Sequence, residues 1–161
     1  MQAQPQQEHH WLQKLVGQWN VEMEYQMGPD SEPGKNTGTE SVRSLGGLWT
    51  IGEGRGQSPE GGEADSIMTL GYDPVKQKFV GTFIASMMAH LWPYEGTLDA
   101  TGKVLTLESE GPDVSGGPTM AKYRDVIEFL SDDHRTLSSH IVSADGTPGK
   151  PFMVAHYRRV K

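Results

Sequence analysis

The sequence predicts an all-β fold: a ten-stranded antiparallel meander β-barrel behind a short N-terminal helix. Three observations predict it. After Gly17, apolar residues recur at every second position in ten separate runs, the period of a half-buried strand. The connectors between most of these runs are shorter than the dozen or more residues that a parallel crossover takes. Glycine fills 20 of 161 positions, well above the usual ~7%, as suits a chain rich in turns. Strands with one dry face and no helices to cover it must bury that face against one another. Closing into a barrel does so and removes the open edges. A sandwich is the competing solution, but sandwiches usually contain long Greek-key returns.

Residues 1–7 are rich in glutamine and are expected as a disordered tail, with residues 8–161 forming a single barrel domain. A helix is expected over 8–16, where Trp11, Leu12, Leu15 and Val16 share one face and Gly17 follows at the C-terminus. Strands are then expected at 17–27, 37–44, 48–54, 66–72, 78–87, 91–98, 103–109, 119–130, 135–143 and 152–160. Turn clusters separate them, among them 28–36, 56–65 and 111–118. In the first strand Trp19, Val21, Met23 and Tyr25 point one way and Asn20, Glu22, Glu24 and Gln26 the other, one dry side and one wet.

Composition bounds the function. The absence of cysteine removes disulfides, thiolate catalysis and zinc–thiolate sites. A formal net charge of -7 argues against nucleic-acid binding, which runs on phosphate neutralisation by Lys and Arg. No apolar run approaches the ~18 residues of a membrane helix, and the first ten residues lack the pattern of a signal peptide. A cytoplasmic protein is expected. The six histidines scatter without metal-ligand spacing, so no metal site is expected. Neither Gly52-Glu53-Gly54-Arg55-Gly56, with no helix after it, nor Ser139-His140, neighbours pointing to opposite faces of a strand, supports chemistry.

Gly17-Gln18-Trp19 after a short helix resembles the Gly-x-Trp start of the calycin superfamily, which contains the lipocalins and fatty-acid-binding proteins. The runs from Trp11 to Trp19, Gly71-Tyr72-Asp73-Pro74, Trp92-Pro93-Tyr94-Glu95-Gly96-Thr97-Leu98, Tyr123-Arg124-Asp125 and Tyr157-Arg158-Arg159 resemble a bacterial family, domain of unknown function 1579. That resemblance implies a calycin-like barrel and no particular activity. The calycin pattern further implies that Trp19 closes one barrel end against an arginine of the last strand. Two parities are open there. Met153, Ala155, Tyr157 and Arg159 share one face; Phe152, Val154, His156 and Arg158 share the other. The family pattern favours the first, making Trp19 and Arg159 the expected plug, a cation–π contact.

The inward parity is expected to collect Trp49, Ile51 and Glu53; Met68 and Leu70; Phe83, Ala85 and Met87; Trp92 and Tyr94; Tyr123 and Asp125; and Tyr157. This apolar, Met- and aromatic-rich set with a few polar tips has the makeup of a ligand pocket. The expected function is binding of a small apolar or amphipathic molecule. One alternative is an enzyme using an inward carboxylate, Glu53 or Asp125, paired with Arg43, Arg55 or Arg159. A second is a haem barrel of the nitrobindin type, a more distant cousin of the family. Haem would need an inward histidine. His140 falls outward, and His156 enters only if the last strand takes the other parity, so no cofactor is expected. The apolar hairpin of Met87, Met88, His90, Leu91 and Trp92 suggests a barrel mouth or a homodimer contact.

Overall fold

The computed structural model describes residues 2–26, 28–58, 61–114 and 116–161. Met1 of the tail, Met27 at the expected end of the first strand, and Pro59, Glu60 and Ser115 in the expected turns lie outside the described residues. Helix α1 (Gln7–Leu12) runs into a single 3-10 turn (Gln13–Leu15). Ten strands follow: β1 (Gly17–Tyr25), β2 (Gly34–Leu45), β3 (Trp49–Gln57), β4 (Glu63–Asp73), β5 (Lys78–Ala85), β6 (Trp92–Leu98), β7 (Val104–Pro112), β8 (Met120–Ser131), β9 (His134–Val142) and β10 (Met153–Arg159). Every neighbour is antiparallel and consecutive in sequence, and β10 returns to pair with β1, closing the barrel. The connectors leave no length for anything else.

The helical stretch is shorter and earlier than the expected 8–16. Its α-helical part ends at Leu12, and Val16 is already extended. Gly17 has φ 140, a conformation that favours glycine, and a Cβ there would lie 2.5 Å from Arg159 Nη1. The glycine therefore turns the chain into β1 and leaves room for the arginine.

The helix caps one barrel end. His9 accepts the Gln6 N–H at Nδ1, 2.9 Å, and donates from Nε2 to the Tyr72 carbonyl, 3.1 Å. Trp11 donates to the Gly102 carbonyl at 2.6 Å and packs edge-on against Phe79 and Phe129. Leu12 and Leu15 complete the contact with the core of Trp19, Leu70, Phe79, Leu105, Leu107 and Ile127. Burying these large apolar side chains supplies the main drive to closure, at about 1.5–3 kcal/mol each. Among the described residues no helix is long and apolar enough to cross a membrane.

Candidate functional site

The strand register fixes which side chains enter the barrel. On β1 they are Trp19, Val21, Met23 and Tyr25, which pair with Glu40, Gly38, Asn36 and Gly34 of β2. Gly38, Glu40 and Val42 in turn pair with Gly56, Gly54 and Gly52 of β3. Across the next seam these glycines face Ala64, Ser66 and Met68 of β4. Gly38, Gly52, Gly54, Gly56, Ala64 and Ser66 thus form a patch of one barrel wall with little or no side chain, flanked by Glu40, Val42 and Met68. The opposite wall carries Trp92, Tyr94, Tyr123 and Tyr157, all buried. A cavity of about 180 Å³ remains in front of the glycine wall, lined among others by Val21, Met23, Glu40, Gly54, Ser66, Phe83, Ala85, Met153 and Tyr157. An apolar cavity of about 150 Å³ is enough for benzene.

This corrects the expected parity of β3. Trp49 and Glu53 do not line the cavity: Trp49 is 40% exposed, and the Glu53 side chain is 61% exposed, 4.0 Å from Arg43. Ile51 lies on that same outer parity. The apolar face of β3 is on the outside because Trp49 covers Gly71 of β4, where a Cβ would collide with the indole. The remaining candidates divide. Met87 and Tyr157 border the cavity, Met87 from the exposed turn after β5 rather than from within the strand. Met68 borders a separate void of about 20 Å³ deeper in the barrel. Trp92 and Tyr123 fill the far wall, edge to face at 5.1 Å, with Trp92 lying over Gly111.

Tyr94 and Asp125 meet inside the barrel, Tyr94 donating its hydroxyl to Asp125 Oδ2 at 2.5 Å. Ser139 also bonds the carboxyl. Neither Tyr94 nor Asp125 is among the residues bordering the cavity. Burial pushes the Asp125 carboxyl above the usual carboxylate range, against the opposing pull of its hydrogen bonds. Burial, followed by the nearby Asp125, pushes the Tyr94 phenol well above its ordinary value. Of the arginines expected to pair with Glu53 or Asp125, Arg43 stands 4.0 Å from Glu53, but outside the barrel. Arg55 bonds the exposed Asp65, and Arg159 bonds Asp133.

Two charged residues that sequence reasoning missed are Glu40, which borders the cavity, and Arg135, which lies behind it. Arg135 donates from Nη2 to Glu40 Oε1 at 2.9 Å, with side-chain exposures of only 4% and 13%. The guanidinium lies 4.6 Å from the Trp19 ring and 4.0 Å from that of Tyr157, so its charge is held by a carboxylate and two π-faces. Arg135 Nε has no hydrogen-bond partner among the described residues, and the residue borders the 20 Å³ void, room for one water. Parity carried the signal: Arg135 is in phase with the apolar Leu137 and Ile141, and Glu40 with Gly38 and Val42.

Trp19 is fully buried and donates to the Leu15 carbonyl at 2.9 Å. Arg159 lies 4.2 Å from its ring and donates to the carbonyls of Val16, Lys14 and Asp132 at 2.7, 2.9 and 3.1 Å. The arginine thus satisfies carbonyls left open where the helical turn ends. The last strand accordingly turns Tyr157 inward and His156 outward, where His156 bonds His134 at 2.9 Å. His140 is held outside by the Gly149 carbonyl and Ser138. Among the described residues no histidine borders the cavity, and no three His, Asp or Glu side chains gather as metal ligands would.

The fold and cavity define a closed ten-stranded antiparallel barrel with an internal pocket. The chain belongs to the family described as protein of unknown function (DUF1579), whose model matches residues 4–159. A search of curated proteins finds no match. Among solved structures the chain is similar to Rv2717c from M. tuberculosis, at 14% identity and a TM-score of 0.66 over 98% of this chain and 100% of that one. It is also similar to the S-type phycobiliprotein lyase CPES from Guillardia theta, at 13% identity and a TM-score of 0.60 over 98% and 99%. At these identities the likeness shows the shared barrel.

Proposed function

We propose that this protein binds a small apolar or amphipathic molecule inside its barrel. The observation that carries the reading is the glycine wall. Gly38, Gly52, Gly54 and Gly56 meet across adjacent strands on the interior face, and Gly38, Gly54 and Gly56 border the cavity. A small barrel normally packs its interior with side chains; here close approach requires glycine, with a Cβ at Gly38 2.4 Å from the Arg55 carbonyl oxygen and one at Gly54 2.6 Å from Ser66 Oγ, and the thin wall that results borders the cavity. The lining is mostly apolar, with Met23, Met87 and Met153 able to adjust to a ligand's shape. The rim supports access: Met87 is 53% exposed and borders the cavity, which favours a barrel mouth at the β5–β6 turn.

Catalysis by Glu53 or Asp125 gains no support from this geometry. Glu53 is outside, and Asp125 is committed to Tyr94 and Ser139 away from the cavity. The test is extraction of the natively purified protein followed by mass spectrometry, with the Ala85→Phe variant alongside. Ala85 is buried at the cavity edge, and a phenyl ring there occupies the ligand's space. A compound near stoichiometric in the native protein and missing from the variant is the expected result. Absence of any compound, together with no thermal stabilisation by benzene-sized probes, would refute the proposal.

A further inference from the structure

We infer that the cavity selects an uncharged, single-ring-sized molecule carrying a hydrogen-bond donor, which it seats against the free carboxylate oxygen of Glu40, and that it rejects anions. The inference rests on the binding reading above and names the chemistry of its ligand. Glu40 borders both the cavity and the void beneath it. Its Oε1 is taken by Arg135. Its Oε2 has no hydrogen-bond partner among the described residues and faces the glycine wall, 3.3 Å from where a Cβ of Gly52 would stand and 3.9 Å from that of Gly54. A lone acceptor at the edge of a mostly apolar cavity prefers a ligand that brings a donor, because ligand entry displaces water from it and an acceptor then left unmatched is costly.

The charge arrangement sets the sign of the preference. A barrel that offers a guanidinium to its cavity recruits carboxylates, through bidentate charge-assisted bonds. Here the guanidinium of Arg135 is sandwiched between Trp19 and Tyr157 and spent on Glu40 without bordering the cavity, while Arg55, which does border it, is paired with the exposed Asp65. An anion that reaches the cavity floor meets the Glu40 carboxylate. A cation finds a carboxylate whose charge Arg135 already balances, so its own charge is buried without compensation. A neutral hydroxyl or N–H has neither difficulty. The cavity of about 180 Å³ limits the apolar body to roughly one substituted ring, given that about 150 Å³ accommodates benzene. Ser66, whose hydroxyl lies 2.6 Å from the Gly54 Cβ position, supplies a second polar point on the same wall.

Isothermal titration of the full chain with p-cresol, toluene and p-toluate tests this. The three share one body and differ in head group: donor, none, anion. The expected order places p-cresol at least five-fold tighter than toluene and leaves p-toluate without measurable binding. Glu40→Gln is expected to erase the p-cresol advantage and leave toluene unchanged. Because that variant leaves Arg135 without its counter-charge, the paired Glu40→Leu/Arg135→Met variant is measured too, and there toluene should bind tighter than p-cresol. Toluene tighter than p-cresol in the wild type, or p-toluate matching p-cresol, overturns the donor-head inference while leaving a binding cavity in place. Failure of all three, toluene included, overturns the binding reading itself.

Discussion

Arg135 of β9 reaches Glu40 of β2 across the barrel interior, Nη2 to Oε1 at 2.9 Å, although two strands, β10 and β1, separate them in the sheet. The pair ties β9 to the glycine wall of the cavity. Trp19 and Tyr157 hold the guanidinium between them, so the four residues act as one unit. Buried ion pairs of this kind are costly to break and cheap to replace whole.

That asymmetry is measurable. Arg135→Met alone should destabilise the protein by about 3–5 kcal/mol, since it strands a buried carboxylate. The double change Glu40→Leu/Arg135→Met should recover most of the loss. Urea unfolding of both variants checks it; equal destabilisation by the single and double changes would show that the pair is not coupled.

Trp19→Ala should cost about 3–5 kcal/mol, the range for truncating a large aromatic in a core. Trp19 is fully buried, bonds the Leu15 carbonyl and faces both Arg135 and Arg159. Unfolding in urea at the wild-type midpoint would remove the plug from the explanation of stability.

Asp125 gives a pH signature. Its folded carboxyl is raised above its ordinary value, chiefly by burial. The folded state then holds the proton longer than the unfolded state, so stability falls as pH climbs from the ordinary carboxylate value through the raised one. Asp99, Asp133 and Asp145 act in the opposite sense. Hydrogen bonds hold their carboxyls low, Asp145 at about 2, and their contribution is lost as pH falls. The Asp125 effect therefore shows in a difference: across that window Asp125→Asn should lose stability less steeply with rising pH than the wild type. Parallel stability–pH curves for the two proteins would contradict it.

The strands and their order were legible because antiparallel neighbours joined by short turns leave the alternation of Val, Ile, Phe and Tyr as a clean signal, as in Trp19, Val21, Met23 and Tyr25. The face of β3 was not. Hydrophobic parity selects Trp49 and Ile51 as interior, yet the interior is Thr50, Gly52 and Gly54. The rule presumes that the inner face carries side chains, and this wall breaks it: a Cβ at Gly38 would meet the Arg55 carbonyl oxygen at 2.4 Å and one at Gly54 the Ser66 hydroxyl at 2.6 Å, so close packing requires glycine on the inner face. The same presumption hid Glu40 and Arg135, since an inward charge is read as an anomaly unless its partner, here 95 residues away, is already known. Asp125 and its partner Tyr94 were both found by parity, but no pattern in the chain shows that this pair stands apart from the cavity.

Filling the cavity should be tolerated. Ala85→Phe places a ring into existing space, so its unfolding midpoint should match or exceed that of the wild type, where the same change in a packed core would cost about 1–3 kcal/mol. A large loss of stability in urea would mean that the space in front of Gly54 is not available to added atoms.

The binding cavity itself is tested most directly by NMR of the methionine methyl groups, labelled with carbon-13, during titration with p-cresol. Met23 and Met153 line the cavity, whereas Met120 is 54% exposed and does not. Saturable shifts at Met23 and Met153, with Met120 unmoved and all shifts abolished in Ala85→Phe, are the expected result. Unchanged Met23 and Met153 signals at saturating p-cresol, or shifts that survive in Ala85→Phe, would contradict a ligand site inside the barrel.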